Sequence, residues 1–248
     1  MMNMVSIILI AVPMAVAPGI GLSFFIYFKD KFEKEPFRLL RNCFLFGAVS
    51  IIPAIIIELL SGFAGMDENK GVLTTFFYAF CIVAVAEEVC KYVVLRFYVY
   101  KNAAFNEPFD GIVYAVMISM GFATVENILY AVTSGVGTTV LRMFTAVPLH
   151  AVCAIFMGYF IGKAKFSGRV PLNIAKGLFF AVLAHGLYDF FLFQKNVPAL
   201  GILSFVTLGA SVYLSFVAIN KHQKNSPFNN RNSGNMINDS ANAGAETN

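Results

Sequence analysis

Long apolar stretches make up most of this chain, and seven ionisable side chains lie inside them. They are Glu87, Glu88, Lys91, Glu126, His150, His185 and Asp189. A charged group near the centre of a bilayer costs ~2.5–3.5 kcal/mol on insertion scales, so such groups pair with one another or line a water-filled cavity. A buried set of carboxylates and imidazoles therefore indicates a site for chemistry more than a packing feature.

The composition predicts a membrane protein. Of the 248 residues, 58% are hydrophobic and only 13% are charged, whereas a soluble domain carries about 25% charged residues. A transmembrane helix needs about 20 apolar residues, which predicts an all-α bundle of about seven helices, multi-pass in the cell membrane. The segments are 4–28, 39–61, 72–99, 109–133, 143–162, 173–193 and 198–219. No basic and aromatic surface suggests nucleic acid.

The chain divides into two parts by composition. Residues 1–220 contain all the apolar segments and are predicted to form one integral-membrane domain. Residues 221–248 are rich in Asn, Ser and Gly, which is typical of a disordered polar tail. We place this tail in the cytoplasm, for the reason given next.

Basic residues alternate between the two ends of the predicted bundle. The first, third and fifth connections and the tail hold fourteen Lys and Arg, whereas the other connections hold only Lys70, Arg142 and Lys195. Because basic residues stay on the cytoplasmic side, the N-terminus is predicted outside and the C-terminus inside. At a rise of 1.5 Å per residue, the polar groups of four segments then fall in one layer between the midplane and the outer leaflet.

The run Glu87-Glu88-Val89-Cys90-Lys91 is the strongest local signal. Lys91 lies on the same helix face as both acids and can neutralise one of them. Two adjacent carboxyls in a low dielectric do not both ionise easily, which suits a general base that acts on water. The alternative is an interhelical salt-bridge network that fixes packing.

Two further segments each carry one candidate. Glu126 and Asn127 precede Tyr130 by about one turn, so Glu126 is either a third functional acid or a side chain hydrogen-bonded to Tyr130 or a neighbouring helix. His150 follows Pro148 within an apolar stretch. It is either a ligand or a core histidine with its hydrogen bonds satisfied.

His185 and Asp189 are an i, i+4 pair on one predicted helix. Asp189 can orient the imidazole, as carboxylates do beside metal-bound histidines, or the pair can hold the helix in register. The remaining acids are expected where charges are common in membrane proteins. Asp110 is predicted to be a carboxylate at a helix N-terminus, Glu58 to lie at the membrane interface, and the loop 29–36 to be solvated.

In their order and spacing, these motifs resemble the PrsW family of intramembrane proteases, a distant relative of the CAAX-processing and bacteriocin-processing membrane proteases. The resemblance covers most of residues 18–190. It rests on Pro18-Gly19, Lys29-Asp30, Lys34-Glu35-Pro36, Glu87-Glu88 with Lys91, Asp110-Gly111, Gly121-Phe122-Ala123, Glu126-Asn127, Tyr130, His150 and His185.

The resemblance implies that the 1–220 domain cuts a membrane-protein substrate near the extracytoplasmic side, a single-pass anti-sigma factor being the family example. It implies that Glu87 and Glu88 are the catalytic carboxylates and that His150 and His185 serve water, the oxyanion or a metal. The supporting residues are Lys91, Glu126, Asn127 and Asp189. Asp189 stands where the wider superfamily often has Asn.

The sequence leaves alternatives open for both the cofactor and the function. Two histidines and a glutamate match a zinc-hydrolase ligand set, so a divalent metal at Glu87, Glu88, His150 and His185 is one version. The HExxH motif is absent, and the wider superfamily also supports a metal-free glutamate mechanism, which we slightly favour from sequence. The alternative function is a transporter or proton relay, for which inverted repeats are expected and none is evident in the sequence. A non-catalytic receptor is a third reading.

Overall fold

The computed structural model describes residues 4–66, 71–194 and 197–229, and within them it contains helices and no β-strand. The helices are α1 (Met4–Lys29), α2 (Phe37–Val49), α3 (Ile51–Phe63), α4 (Val72–Phe77), α5 (Val85–Val94), α6 (Pro108–Phe144), α7 (Ala146–Ser167), α8 (Val170–Leu192) and α9 (Gly201–Lys224). π-Helical segments at Tyr78–Ala84 and Leu95–Val99 flank α5, and a 3-10 helix spans Pro198–Leu200.

Seven helical runs in the described residues are long and apolar enough to cross a membrane. Two of them are composite: Phe37–Phe63 joins α2 to α3, and Val72–Val99 joins α4, α5 and the two π-helical segments. Large apolar side chains such as Phe63, Phe97 and Tyr213 are exposed on the outside of the bundle, where lipid rather than water can cover them. The predicted all-α, multi-pass membrane architecture is confirmed.

α6 is the central helix of the bundle. Every residue from 109 to 124 is buried, and α6 packs against α1, α2 and α7. A helix that is apolar on all faces is expected in such a position. α6 therefore sets the positions of the helices around it.

The predicted end of the fourth apolar segment at residue 133 agrees with the structure, because α6 is broken at Gly135, whose φ is 83°. The residues after this break, where we expected a connection, are helical up to Phe144. Arg142 lies 2.7 Å from Glu126, although sixteen residues of straight helix would separate them by about 24 Å. The chain therefore reverses at Gly135, in a conformation that glycine adopts at little cost, and the segment after it folds back.

Glycines let α6 touch its neighbours through the backbone. A methyl group at Gly121 would collide with the carbonyl of Phe44 on α2, and one at Gly158 would collide with the carbonyl of Gly111. Such small residues allow close crossings of membrane helices. The close approach at these glycines is between helices of the same chain.

We expect Gly121→Ala and Gly158→Ala each to lower the free energy of unfolding by about 1–3 kcal/mol, because overpacking forces the backbones apart. Gly209→Ala on α9 is the matched control, since a methyl there meets nothing within 4 Å. Unfolding measured in the same detergent decides the point. Equal stabilities for Gly121→Ala and Gly209→Ala would contradict the close crossing.

The structure differs from the sequence prediction in two regions, the start of the polar tail and the loop 29–36. α9 continues to Lys224, so residues 221–224 of the predicted tail are helical, and residues 230–248 of that tail lie outside the described residues. The prediction that the loop 29–36 is solvated was wrong at Asp30 and Glu35, which are both buried. The reason is that the start of α6 packs over this loop, as the Tyr114 hydroxyl shows by donating to Glu35 Oε2.

Candidate functional site

The acidic pair of α5 is buried in the bundle together with its lysine. Glu87 is 4% exposed, Glu88 is 0% exposed, and Lys91 is also buried. The helical spacing brings Lys91 Nζ to 2.8 Å from Glu88 Oε1 and 3.1 Å from Glu87 Oε2. We predicted that Lys91 would neutralise one carboxylate, and the structure places it against both. π-Helical turns, which often occur at functional sites, flank this short helix on each side.

His150 on α7 joins the α5 cluster to Glu126 on α6. Its Nδ1 lies 3.0 Å from Lys91 Nζ and 3.8 Å from Glu87 Oε2. Its Nε2 lies 2.7 Å from Glu126 Oε2. His150 Nδ1 therefore faces Lys91 and Glu87, and His150 Nε2 is held by the carboxylate of Glu126.

His185 on α8 has the same arrangement. Its Nδ1 lies 2.9 Å from Glu88 Oε1, and its Nε2 lies 3.3 Å from Asp189 Oδ2. The two imidazole rings are 5.2 Å apart, centroid to centroid. The i, i+4 pair of α8 thus orients His185 toward α5, and the alternative that it only keeps α8 in register does not account for the contact with Glu88.

The supporting residues lie next to this cluster. Glu126 contacts His150, while Asn127 Nδ2 donates to the main-chain carbonyl of Ala15 at 3.4 Å. Asn127 Oδ1 in turn accepts a hydrogen bond from Arg142 Nε at 2.9 Å. All eight residues that the sequence singled out are therefore brought to one region, with Asn127 linked to His150 through Arg142 and Glu126.

Arg142 is the residue that sequence reasoning missed. It forms an ion pair with Glu126 Oε1 at 2.7 Å, and its guanidinium lies 3.9 Å from the centre of the Tyr130 ring. In the sequence it reads as the one basic residue of a short connection, and only its position beside an apolar run could have drawn attention to it. Glu58 on α3, which we predicted to be interfacial, lines the cavity of this site as well.

A cavity of about 390 Å³ opens onto the cluster. Side chains of α3, α5, α6, α7 and α8 line it, among them Glu58, Glu87, Glu126, His150 and His185. This volume is within the range of small-ligand sites and holds several waters at about 30 Å³ each. Glu88 lies behind the cavity wall, whereas Glu87 is part of it.

The charges of the cluster do not balance without further cations. Four carboxylates, those of Glu87, Glu88, Glu126 and Asp189, contact only two permanent cations, Lys91 and Arg142. Buried charges are stable only when they are paired. The excess negative charge is therefore neutralised either by protons taken up within the cluster or by a divalent metal ion.

The residues present fit a metal ion. Glu87, Glu88, His150 and His185 each offer one ligand atom, and these atoms lie within 4.8 Å of one another. Each histidine has a further carboxylate at Nε2, Glu126 for His150 and Asp189 for His185, which is the usual support of metal-bound imidazoles. His185 Nε2 also lies 3.9 Å from Glu87 Oε2. Glu88 Oε2 is buried without a hydrogen-bond partner. A metal ion bound by these four residues would share the carboxylate oxygens of Glu87 and Glu88 with Lys91.

Comparison with known proteins gives a consistent result. Residues 35–219 match the family described as "PrsW family intramembrane metalloprotease". Protease PrsW of Geobacillus kaustophilus is 37% identical over 73% of this chain and 79% of its own length, and Protease PrsW of Bacillus subtilis is 38% identical over 71% and 80%. Protease PrsW of Halalkalibacterium halodurans is 33% identical over 84% and 93%. No solved structure matches the chain.

Proposed function

Since the chain belongs to the PrsW family of intramembrane proteases and is therefore a membrane peptidase, we propose that its Glu/His cluster hydrolyses a peptide bond of a membrane-protein substrate inside the cavity. The observation that carries this proposal is the convergence of Glu87, Glu88, His150 and His185, from three helices, at one cavity. A purely structural salt-bridge network would need no cavity beside it.

We assign the role of general base to Glu87. Its carboxylate lines the cavity, whereas Glu88 is fully buried and contacts Lys91 and His185. A water in the cavity attacks the substrate carbonyl carbon and gives a proton to Glu87, and that proton then passes to the leaving amide nitrogen. Glu88 is a positioning residue, which holds Lys91 and His185 in place.

The developing negative charge on the carbonyl oxygen needs positive groups or donors that are already in place. Lys91 Nζ contacts Glu87, Glu88 and His150, and His185 Nδ1 contacts the same Glu88 oxygen as Lys91 does. These groups are the candidates for stabilising the oxyanion. Glu126, held by Arg142, fixes the orientation of the His150 ring for this task.

The donor set of Glu87, Glu88, His150 and His185 would hold a divalent metal such as zinc, which when bound supplies Lewis-acid activation of water and of the carbonyl group. The paired support of both imidazoles favours this version over the metal-free one. With an ion bound, His150 and His185 would be ligands and would not also donate to the oxyanion, and Glu87 would keep the role of base through the carboxylate oxygen that is not a ligand.

We expect a strong zinc chelator to abolish cleavage and a stoichiometric amount of Zn²⁺ to restore it, because the bound ion would supply the Lewis-acid activation of water and of the carbonyl group. Metal content of the purified protein is measured alongside activity. Full activity in the chelator, with no metal bound to the protein, would remove the metal version.

For the substrate we propose a single-pass membrane protein, of the kind exemplified by anti-sigma factors, cut toward the extracytoplasmic side. Support comes from the alternation of basic residues, which favours an outside N-terminus. With that orientation the cluster lies in the outer half of the bilayer, because Glu126 is near the end of its outward crossing and His150 is near the start of the inward one.

The test uses purified protein in liposomes with single-pass substrates that carry a different tag at each end. The proposal predicts two products, with the new termini close to the outer membrane surface by mass spectrometry. A folded protein that cuts none of the substrates but carries protons across the liposome membrane would instead support the transporter reading.

A further inference from the structure

A second group of buried acids lies far from the active site. It consists of Asp30 at the end of α1, Glu35 in the following loop, and Glu107 and Asp110 at the start of α6, all of them buried. We call these four residues the acid cluster. Asp110 is sixteen residues from Glu126 along helical α6, about 24 Å at 1.5 Å per residue, so the acid cluster is separate from the cavity.

The acid cluster has fewer hydrogen-bond donors than its oxygens need. Asp110 Oδ2 accepts the main-chain N–H groups of Asn106 and Glu107, each at 2.8 Å, and the Tyr114 hydroxyl donates to Glu35. Asp110 is 0% and Asp30 is 1% exposed. Burial and the charge of Asp110 raise the pKa of Glu35 to about 10, and the Glu35 carboxyl group is hydrogen-bonded to Asp110. Within the described residues no donor reaches either carboxylate oxygen of Asp30, and Asn106 Oδ1 is buried in the same state.

The nearby lysines do not supply the missing charge. Lys34 Nζ donates to the main-chain carbonyls of Tyr27 and Asp30. Lys165 Nζ donates to the main-chain carbonyls of Tyr100 and Asn102, at 2.8 and 3.2 Å. Neither ammonium bonds to a carboxylate. A buried carboxylate with neither donor nor counter-ion is strongly unfavourable, so Asp30 requires a positive species, which is either a proton or a metal cation.

We propose that the acid cluster binds a hydrated divalent cation of the Mg²⁺ type, which ties the loop between α1 and α2 to the start of α6. Mg²⁺ takes oxygen ligands and keeps several waters, with only one or two direct carboxylates. Among the described residues only the active-site group has three or more ligand atoms within 4.8 Å of one another, so an ion in the wider acid cluster keeps part of its water shell.

A cation suits Asp30 better than a proton does. A proton would leave one oxygen of Asp30 without a donor and would create an O–H group that itself needs an acceptor. A hydrated cation provides for both oxygens at once, directly or through its water ligands. The amide oxygen of Asn106, which also lacks a donor, is a further ligand of the type that hard cations accept.

Protons compete with the cation in this region. Burial, with added repulsion from Glu107, Asp110 and Glu33 against the attraction of Lys34, raises the pKa of Asp30 to about 7. Burial likewise raises the pKa of Glu107 to about 7. A folded state that keeps these protons to higher pH than the unfolded chain does loses stability as pH rises from about 4 through 7. Without a divalent cation, the protein should therefore be less stable at pH 8 than at pH 6.

The test is thermal unfolding of the purified full chain after removal of metals, titrated with Mg²⁺ and in a second arm with Ca²⁺ at pH 8. At saturation with Mg²⁺ we expect the wild-type Tm to rise by about 5–10 °C, with one ion bound by calorimetry. Asp30→Asn should lose this response and, in chelator, should unfold at or above the wild-type temperature, because the substitution removes the repulsion.

Glu87→Gln is the matched control, since it changes an active-site ligand and should leave the Mg²⁺ response intact. The proposal is overturned if Asp30→Asn keeps the full response, if Glu87→Gln abolishes it, or if wild type ignores both ions and is stabilised by acid alone. A response to Ca²⁺ but not to Mg²⁺ would overturn the assignment of a hydrated, Mg²⁺-type ion. None of these outcomes depends on peptidase activity, so they are separate from the test of the proposed function.

Discussion

Replacing Glu87 by Gln should lower the single-turnover rate of substrate cleavage by about 10²–10⁴-fold, the usual contribution of a general base. The amide has almost the shape of the carboxylate but cannot accept the proton of the attacking water. Because Glu87 lies at the cavity wall and contacts only Lys91 at short range, the fold should persist. Cleavage in liposomes and thermal unfolding of the same preparation measure the two quantities.

Glu88→Gln should also abolish most activity, but for a different reason. Glu88 holds Lys91 and His185 from behind the wall, so its loss displaces the groups that act on the oxyanion. The residual activity of Glu88→Gln should keep the base-dependent limb of the pH–rate profile, which Glu87→Gln should lose. Glu33→Gln, an exposed acid in the loop after α1, is the control. Wild-type rates for both Glu87→Gln and Glu88→Gln would disprove the assignment.

Lys91→Met should have the largest effect on stability. Lys91 Nζ contacts Glu87, Glu88 and His150 within 3.1 Å, and the side chain is buried. Breaking a buried ion pair from one side costs about 3–5 kcal/mol because the partner charge remains without compensation. Here two carboxylates would be left facing each other, so we expect a loss at the upper end of that range.

The matched control is the triple variant Lys91→Met, Glu87→Gln, Glu88→Gln, which removes the lysine and both partner charges. It should recover most of the lost stability, since a neutral buried set is far cheaper than an unpaired charged one. Unfolding free energies are compared in one detergent with a chelator present, so that no metal replaces the ammonium. Equal stability of Lys91→Met and wild type, or no recovery in the triple variant, would contradict this description of the cluster.

The sequence was sufficient for the helices and for most of the site. Apolar length alone located the seven crossings, because each must cover the hydrocarbon core. The polar residues inside those crossings lie together in the structure since a charge in lipid must find a partner. Glu87, His150 and His185 meet for this reason, although nothing in their spacing along the chain states which helices are neighbours.

Two features could not be predicted, and both depend on contacts between distant segments. In the sequence, the residues around Gly135 look like an ordinary connection, because hydropathy does not show in which direction the chain continues. The reversal at Gly135 that brings Arg142 to Glu126 is therefore visible only in the structure. Asp30 and Glu35 lie in a charged loop that is normally solvated, and only the packing of the start of α6 over it buries them. The orientation of the bundle stays a prediction from the basic residues.

Trapping a substrate in the cavity is the most direct test of whether the peptide bond is cut at the Glu/His cluster. A photoreactive amino acid is placed at Leu141, which lines the cavity, or at Leu214, which is exposed on α9, both in the Glu87→Gln background. We expect position 141 to crosslink the substrate within a few residues of the bond that wild type cuts, and we expect position 214 not to crosslink it. Cleavage by wild type with no capture at position 141, or with equal capture at position 214, would contradict this expectation.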